Sequence, residues 1–337
     1  MILQFFAPLF WAILITLLIT PVSIKLATRF RLVDQPHSAP HKIHQTPVPK
    51  GGGIAIAAAV FLLGLINGKL EIADIRAILL ASVFILLFGF LDDVMGLSAP
   101  WKITGQVVAT VILIWQGIQI RMFGDQPVLN ISVTLLWIIG ITNAFNFVDS
   151  MDGLAVGLAA IASTFFLFAT IDASQLHASQ LHLTYMSAIL LGSCIGVFYF
   201  NATPARTFLG DSGAQFLGFM LATLAMAYTP PGLPQPSSWF VPILLLGVPI
   251  FDATYVVISR LRRGAPIHKA GQDHVYHRLT QLGMSPAQAV TTMHVAALLI
   301  GCFAFIALQL PPLQANLLFG LALLAGLIGI MQLLKKT

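Results

Sequence analysis

The sequence predicts an all-α, polytopic integral membrane protein of about 10–11 transmembrane helices, built as a single domain over residues 1–337. Three observations predict it. Hydrophobic residues make up 58% of the chain and charged residues only 9%, whereas soluble domains are roughly 45–50% apolar. The apolar residues fall in runs near the ~20 residues a helix needs to cross a bilayer. The connections between runs carry most of the charge, and none is long enough to fold by itself.

The first run, 3–24, has no basic stretch before it and no small-residue cleavage site, so it is expected to stay as a helix and not to be removed as a signal peptide. A Pro- and His-rich connection, 25–52, follows. Runs 53–67 and 76–91 are the two shortest for a span, and the second ends in FGFLDDVMG. Runs 104–120 and 131–146 come next. The stretch NAFNFVDSMDGLA joins 131–146 to 154–171, and TFLGDSGA joins 184–200 to 214–228. Run 240–259 leads into a second long connection, 260–287, before 288–309 and 316–334 complete eleven spans. No period of 20–50 residues points to a repeat array.

Orientation follows from the basic residues, which collect in cytoplasmic loops. With the N-terminus outside, the inward connections hold Lys25, Arg29, Arg31, Lys42, Lys50, Lys102, Arg206, Arg260, Arg262, Arg263, Lys269, Arg278, Lys335 and Lys336, which are 14 of the 17 basic residues. This juxtamembrane placement accounts for the net charge of +5 and leaves no reason to expect nucleic acid. Cys194 and Cys302 lie in apolar runs, which indicates neither a disulfide framework nor a Cys metal site. The only glutamate, Glu71, falls outside, which excludes an HExxH metalloprotease.

Under this topology four polar stretches share the cytoplasmic side. Asp92 and Asp93 adjoin an apolar run, where neighbouring carboxylates repel and lose solvation unless a cation is near. Asn143, Asn146, Asp149 and Asp152 recur every third residue. A regular helix fans them over roughly 180°, so a tight turn or an unwound junction at Gly153 is needed to gather them. Amides with carboxylates suit a ligand such as a nucleoside and can complete an oxygen shell for Mg²⁺. Helix capping accounts for one of these residues, not four. In GDSG, Gly210 and Gly213 flank Asp211 ahead of an apolar helix, whose N-terminal amides suit phosphate oxygens; an ordinary N-cap is the alternative. In DHVYHRL, His274, His277 and Arg278 suit a diphosphate, and two histidines alone make no zinc site. His37, His41 and His44 read as loop residues.

These four stretches, with VDQPHSAPHKIHQTPVPKGGG as a first loop, resemble the polyprenyl-phosphate N-acetylhexosaminyl-1-phosphate transferases over nearly the whole chain. The resemblance implies a bacterial inner-membrane phosphotransferase with a cytoplasm-facing active site. Such an enzyme moves a sugar 1-phosphate from a UDP-N-acetylhexosamine to polyprenyl phosphate, using Mg²⁺, or Mn²⁺ in its place, and releases UMP. It implies that Asp92, Asp93 and Asp211 are catalytic and that Asp211 with Asn146 holds the metal. Phe208 would stack on uracil, and Asn143, Asp149 and Asp152 would line the nucleotide pocket. Lys102, His274, His277 and Arg278 would contact phosphates or sugar. Tyr276 stands where many relatives carry a histidine in HxHH, which favours simple N-acetylhexosamines, GlcNAc first, over a muramyl-pentapeptide nucleotide. Whether the protein forms a homodimer is left open.

The rival reading is a proton- or ion-coupled carrier, since acids at membrane depth mark ion pathways. Asp252, inside VPIFDATYVV, is the residue that suits it best.

Overall fold

The structure is a computed structural model, described here for residues 3–36, 46–66, 73–176, 181–228, 240–266 and 271–335. His37, His41, His44 and Glu71 lie outside the described residues. The molecule is helical, as expected. In order, α1 (Leu3–Arg29) is followed by α2 (Gly52–Ile66), α3 (Ala73–Met95), α4 (Ala99–Trp115), α5 (Pro127–Val148), α6 (Leu154–Leu176), α7 (Leu181–Asn201) and α8 (Gly210–Ala227). Then come α9 (Phe240–Leu245), α10 (Gly247–Arg262), α11 (Val275–Gln281), α12 (Pro286–Ala307) and α13 (Pro312–Lys335).

Among the described residues, seven helices are long and apolar enough to cross a membrane: α1, α3, α5, α6, α7, α12 and α13. The short run 76–91 lies inside a helix of 23 residues, whereas α2 stays at 15. The expected single span at 240–259 is two helices, α9 and α10, broken at Leu246. Pro249 explains the break, because its ring nitrogen cannot donate to the carbonyl one turn back.

α8 sits at the centre. It is apolar on every side and buried from Ser212 through Met226, packing on α2, α3, α5 and α6. Its approach to α2 is main chain against main chain: a Cβ added to Gly53 would overlap the Gly213 Cα. A Cβ on Gly89 of α3 would lie 2.5 Å from the Ser212 Cα. Glycine at these crossings lets α2 and the last turns of α3 come close to the start of α8. By contrast α13 is mostly uncovered, as a lipid-facing helix would be.

One feature departs from an all-helical plan. β1 (Val33–Asp34) and β2 (Val48–Pro49) pair antiparallel, with Val33 opposite Pro49 and Asp34 opposite Val48. Lys50 continues β2 into a parallel bridge with Phe208. The Phe208 N–H donates to Pro49 O at 2.9 Å, and the Gly52 N–H donates to Phe208 O at 2.9 Å. The first loop is thereby sewn to the segment before α8, which fixes Lys50 beside the GDSG turn.

Candidate active site

The site assembles where the end of α3, the start of α4, the end of α5 and the start of α8 meet, with Lys50 entering from β2. α3 carries Asp92 and Asp93 in its last turn. Asp92 is buried, and its Oδ1 accepts the Leu97 N–H at 2.8 Å, closing the turn into α4. The Lys102 ammonium pairs with Asp92 Oδ2 and reaches Asp211 Oδ1 at 3.6 Å. One lysine therefore bridges two acids that are 119 residues apart in sequence.

Asp93 is differently engaged. Its Oδ1 accepts from Lys50 Nζ at 3.0 Å and from the Asp211 N–H at 2.9 Å. Its Oδ2 accepts from the Ser212 N–H at 3.0 Å and the Ser212 hydroxyl at 2.8 Å. This carboxylate caps α8 from another helix, where unpaired amides and the helix dipole favour an anion. Gly210 is required by the same contact: its φ is +75°, and a Cβ there would lie 2.7 Å from Asp93 Oδ2. The expectation that the α8 amides face phosphate is corrected for Asp211 and Ser212, whose N–H groups are already bonded to Asp93.

In the stretch 143–155, α5 runs to Val148 and the helix ends in a turn through Gly153, at φ +74°. The junction is thus unwound, but it does not gather the four polar residues into one set. Both amide hydrogens of Asn143 are used inside the bundle, one on Gln106 Oε1 and one on Ile139 O, each at 2.8 Å. Gln106 in turn donates to Gln215 Oε1 at 3.1 Å, so a buried amide chain links α5, α4 and α8. Asp152 Oδ2 accepts the Ala205 N–H at 2.9 Å, and the Gly153 N–H donates to Asn201 Oδ1 at 3.2 Å. Asp152 therefore ties the junction to the loop after α7. Asn146 and Asp149 are the two whose side chains form no hydrogen bond with the described residues. Asp149 lies within electrostatic reach of Asp211, Asp93 and Lys50. Burial, then the Asp211 and Asp93 charges, push its pKa up to about 8. For Lys50, burial opposes its charge, but Asp93 and Asp211 more than offset this and its pKa is raised.

The loop before α11 docks on α10. Asp273 accepts from Arg260 Nε and Nη2 at 2.9 and 2.8 Å and from Arg263 Nη2 at 2.6 Å. The His274 Nδ1 lies 2.8 Å from Asp252 Oδ2, and the Val275 N–H donates to Asp252 Oδ1 at 2.7 Å. Arg278 Nε donates to the Tyr255 hydroxyl at 2.8 Å. Tyr276 is buried and stacks on His274, ring centroids 5.3 Å apart; burial raises its hydroxyl pKa. His274 meets the edge of Phe147, in the last turn of α5, at 6.2 Å. This contact joins the α10–α11 unit to the acidic side. His277 flanks Tyr276, and Phe208 is half-buried beside Lys50.

Residues 75–229 match glycosyl transferase family 4. The chain is 31% identical to a probable undecaprenyl-phosphate N-acetylglucosaminyl 1-phosphate transferase of Bacillus subtilis strain 168, over 88% of this chain and 82% of that protein. It is 30% identical to the decaprenyl-phosphate N-acetylglucosaminephosphotransferase of Mycobacterium leprae, over 96% of this chain and 89% of the relative. A phospho-N-acetylmuramoyl-pentapeptide-transferase of Heliobacterium modesticaldum is 31% identical over 89% and 98%.

The chain belongs to the polyprenyl-phosphate N-acetylhexosaminyl-1-phosphate transferase family.

The carrier reading gives way to this membership, and its best residue has a structural role instead. Asp252 of the transferase is buried and doubly bonded to the His274–Val275 segment, so it is a docking acid and not a stop on an ion path. Sequence reasoning misses Lys50, which reads there only as a topological charge, and Gln106 and Gln215, each a lone amide in an apolar helix. It also misses Asp273 as the partner of Arg260 and Arg263. Only the run of basic residues at 260–263 hints at that pairing.

Proposed function

We propose that the protein transfers an N-acetylhexosamine 1-phosphate, GlcNAc first, from its UDP-sugar to polyprenyl phosphate and releases UMP. One observation carries this reading: Lys102 joins Asp92 and Asp211 at the mouth of a helix start that Asp93 and Lys50 hold rigid. Phosphoryl transfer depends mainly on positioning and on balancing charge around the moving group. This arrangement supplies both.

The site is proposed to open on the cytoplasmic side of a bacterial inner membrane, with the N-terminus outside. The distribution of basic residues supports that orientation. A pocket at the bilayer boundary can admit a water-soluble nucleotide and an apolar lipid together. In such a pocket the product would be a lipid-linked diphosphate sugar, an opening membrane step for a cell-envelope polysaccharide.

The donor set fits Mg²⁺. Asp92, Asp93, Asp149 and Asp211 share the site with two ammonium groups, Lys50 and Lys102, and Asp92 and Asp211 lie within hydrogen-bonding reach of each other. Among the described residues no three His, Cys, Asp or Glu side chains form a closed metal cage. Mg²⁺ does not need one, because it is commonly held by one or two carboxylates together with substrate phosphates and water. Asp211 with the free amide oxygen of Asn146 is the proposed pair. When bound, the ion would neutralise diphosphate charge and favour loss of UMP.

The remaining work falls to the chain. Asp92 is the proposed proton acceptor for the lipid phosphate, because Asp93 has all its hydrogen-bonding directions taken. An oxygen of the lipid phosphate then bonds the sugar-bearing phosphorus as the bond to UMP breaks. Lys102 holds Asp92 in place and offsets charge at Asp211. Phe208 beside Lys50 is proposed to meet the uracil. Asn143 and Asp152 shape the pocket through their bonds to Gln106 and Ala205, while Asp149 faces it. His274, His277 and Arg278 are proposed to meet the diphosphate and sugar.

Purified protein in detergent with undecaprenyl phosphate, Mg²⁺ and a panel of UDP-hexosamines should release UMP, fastest with UDP-N-acetylglucosamine. EDTA should stop it and Mg²⁺ or Mn²⁺ restore it. No UMP from any donor with folded protein would overturn the reading. Cross-linking in native membranes tests whether a homodimer forms.

A further inference from the structure

Asp252 and His274 form a buried pair that the transferase reading does not itself require. The carboxylate is completely buried, on α10, and both of its oxygens serve one short segment. Oδ1 takes the Val275 N–H, and Oδ2 lies 2.8 Å from His274 Nδ1. An ionised carboxylate only accepts, so a ring nitrogen bonded to one carries the proton. The imidazole is further held by Tyr276, nearly parallel at 12°, and by the Phe147 edge. Its Nε2 forms no hydrogen bond with the described residues, and 7% of the His274 side-chain surface stays exposed. The second-layer clamp of Arg260 and Arg263 on Asp273 keeps the backbone of this segment against α10.

We infer that Asp252 is a positioning residue that fixes the tautomer of His274, so that Nε2 is the ring nitrogen offered to the substrate. The inference rests on the transferase reading for what Nε2 meets, a phosphate or sugar hydroxyl. Its geometric half does not. A neutral ring offers Nε2 as an acceptor, suited to a sugar hydroxyl. A protonated ring offers Nε2–H to a phosphate oxygen. The charged and titratable groups around the ring are Asp252 from α10, Asp273 next in sequence, His277 and Tyr276 from α11, and Asp149 beyond Phe147 on α5.

The test uses the full chain in detergent with ¹⁵N-labelled histidine, assigning His274 by difference against His274→Gln. The wild type should show Nδ1 protonated and Nε2 bare at alkaline pH. Asp252→Asn keeps an oxygen for the Val275 N–H but turns an NH₂ toward Nδ1, so the proton should move to Nε2. Its kcat should fall roughly 10- to 100-fold, the loss typical of removing an imidazole's orienting partner, with KM for the UDP-sugar within about twofold. Adding Asp252→Asn to His274→Gln should cost no further activity. A wild-type ring protonated on Nε2 alone would overturn the inference even if Asp252→Asn does not fold. So would an unchanged tautomer in Asp252→Asn, or losses that multiply in the double variant. Absence of UMP release would sink the transferase reading while leaving the tautomer measurement intact.

Discussion

The carboxylate of Asp93 grips Ser212 twice, through its backbone N–H at 3.0 Å and its hydroxyl at 2.8 Å. An acid at the end of one helix thus caps another that begins 117 residues later in the chain. The neighbouring acid, Asp92, has a lysine partner and one turn amide, with Asp211 in reach. Two adjacent, identical side chains should therefore respond differently to the same substitution. Asp93→Asn should lower stability by about 1–3 kcal/mol, since it replaces an acceptor-only group among four donors. Asp92→Asn should abolish turnover with a smaller change in melting temperature. Thermal unfolding beside UMP release separates the two.

Lys102 should not be replaceable by arginine. Its compact ammonium fits between Asp92 and Asp211, whereas a planar guanidinium fixes its donors in a fork. Lys102→Met and Lys102→Arg should both lower kcat by on the order of 10²-fold or more. Recovery of most activity in Lys102→Arg would show that charge alone suffices.

Asp149 makes stability depend on pH. Its pKa is raised to about 8 from an ordinary 3.8, so the folded state holds a proton that the unfolded chain releases. Stability should fall as pH rises from about 4 to about 8 and change little beyond. Asp149→Asn removes the ionisable group and should flatten that slope, raising the melting temperature at pH 8 by about 1–2 °C for each kcal/mol relieved. Melting curves without added metal at several pH values measure it.

Asp273 behaves in the opposite sense. Burial alone would raise its pKa, but Arg260 and Arg263 outweigh burial and bring it down to about 2. Its contribution is complete above pH 4 and is lost as pH falls through 2, so the melting temperature should drop on this account only in that window. Asp273→Asn should lower the melting temperature already at pH 4 and raise KM for the UDP-sugar at neutral pH.

The acids are more legible in the sequence than what holds them. Asp92, Asp93, Asp149 and Asp211 stand out because ionised groups are rare in a chain with 9% charged residues. Helix order is readable for the same reason, since apolar runs long enough to span a bilayer seldom arise except as membrane helices. Lys50 is hidden because its meaning comes from a two-residue strand, too short to carry any periodicity, and from a bridge to Phe208 across 158 positions. Gln106 and Gln215 look like stray polar residues until three helices pack and each becomes the other's partner. The spacing of 143–152 suggests one polar face. The fold instead gives Asn143 and Asp152 structural bonds and leaves the Asn146 and Asp149 side chains without a hydrogen bond among the described residues. Threefold periodicity cannot distinguish those outcomes, because it says nothing of the neighbours that α4 and the loop after α7 bring.

Gly53→Ala should damage the protein more than an alanine in a helix usually does. The added methyl would enter the Gly213 backbone, so main chain must move, at a cost of about 1–3 kcal/mol or more. Expression and melting temperature, with Gly64→Ala as the milder comparison against the flexible end of Leu79, check this.

Where Gly53 and Gly213 touch there is no side chain to rotate and nothing to yield, so α2 and α8 form an anvil. Parts struck against an anvil must do the moving. On the far side of α5 the α10–α11 unit is pinned by ion pairs and hydrogen bonds, which can exchange one partner for another without opening a void. A change of shape in this part of the molecule therefore falls to that side, while the spacing of α2 and α8 stays fixed.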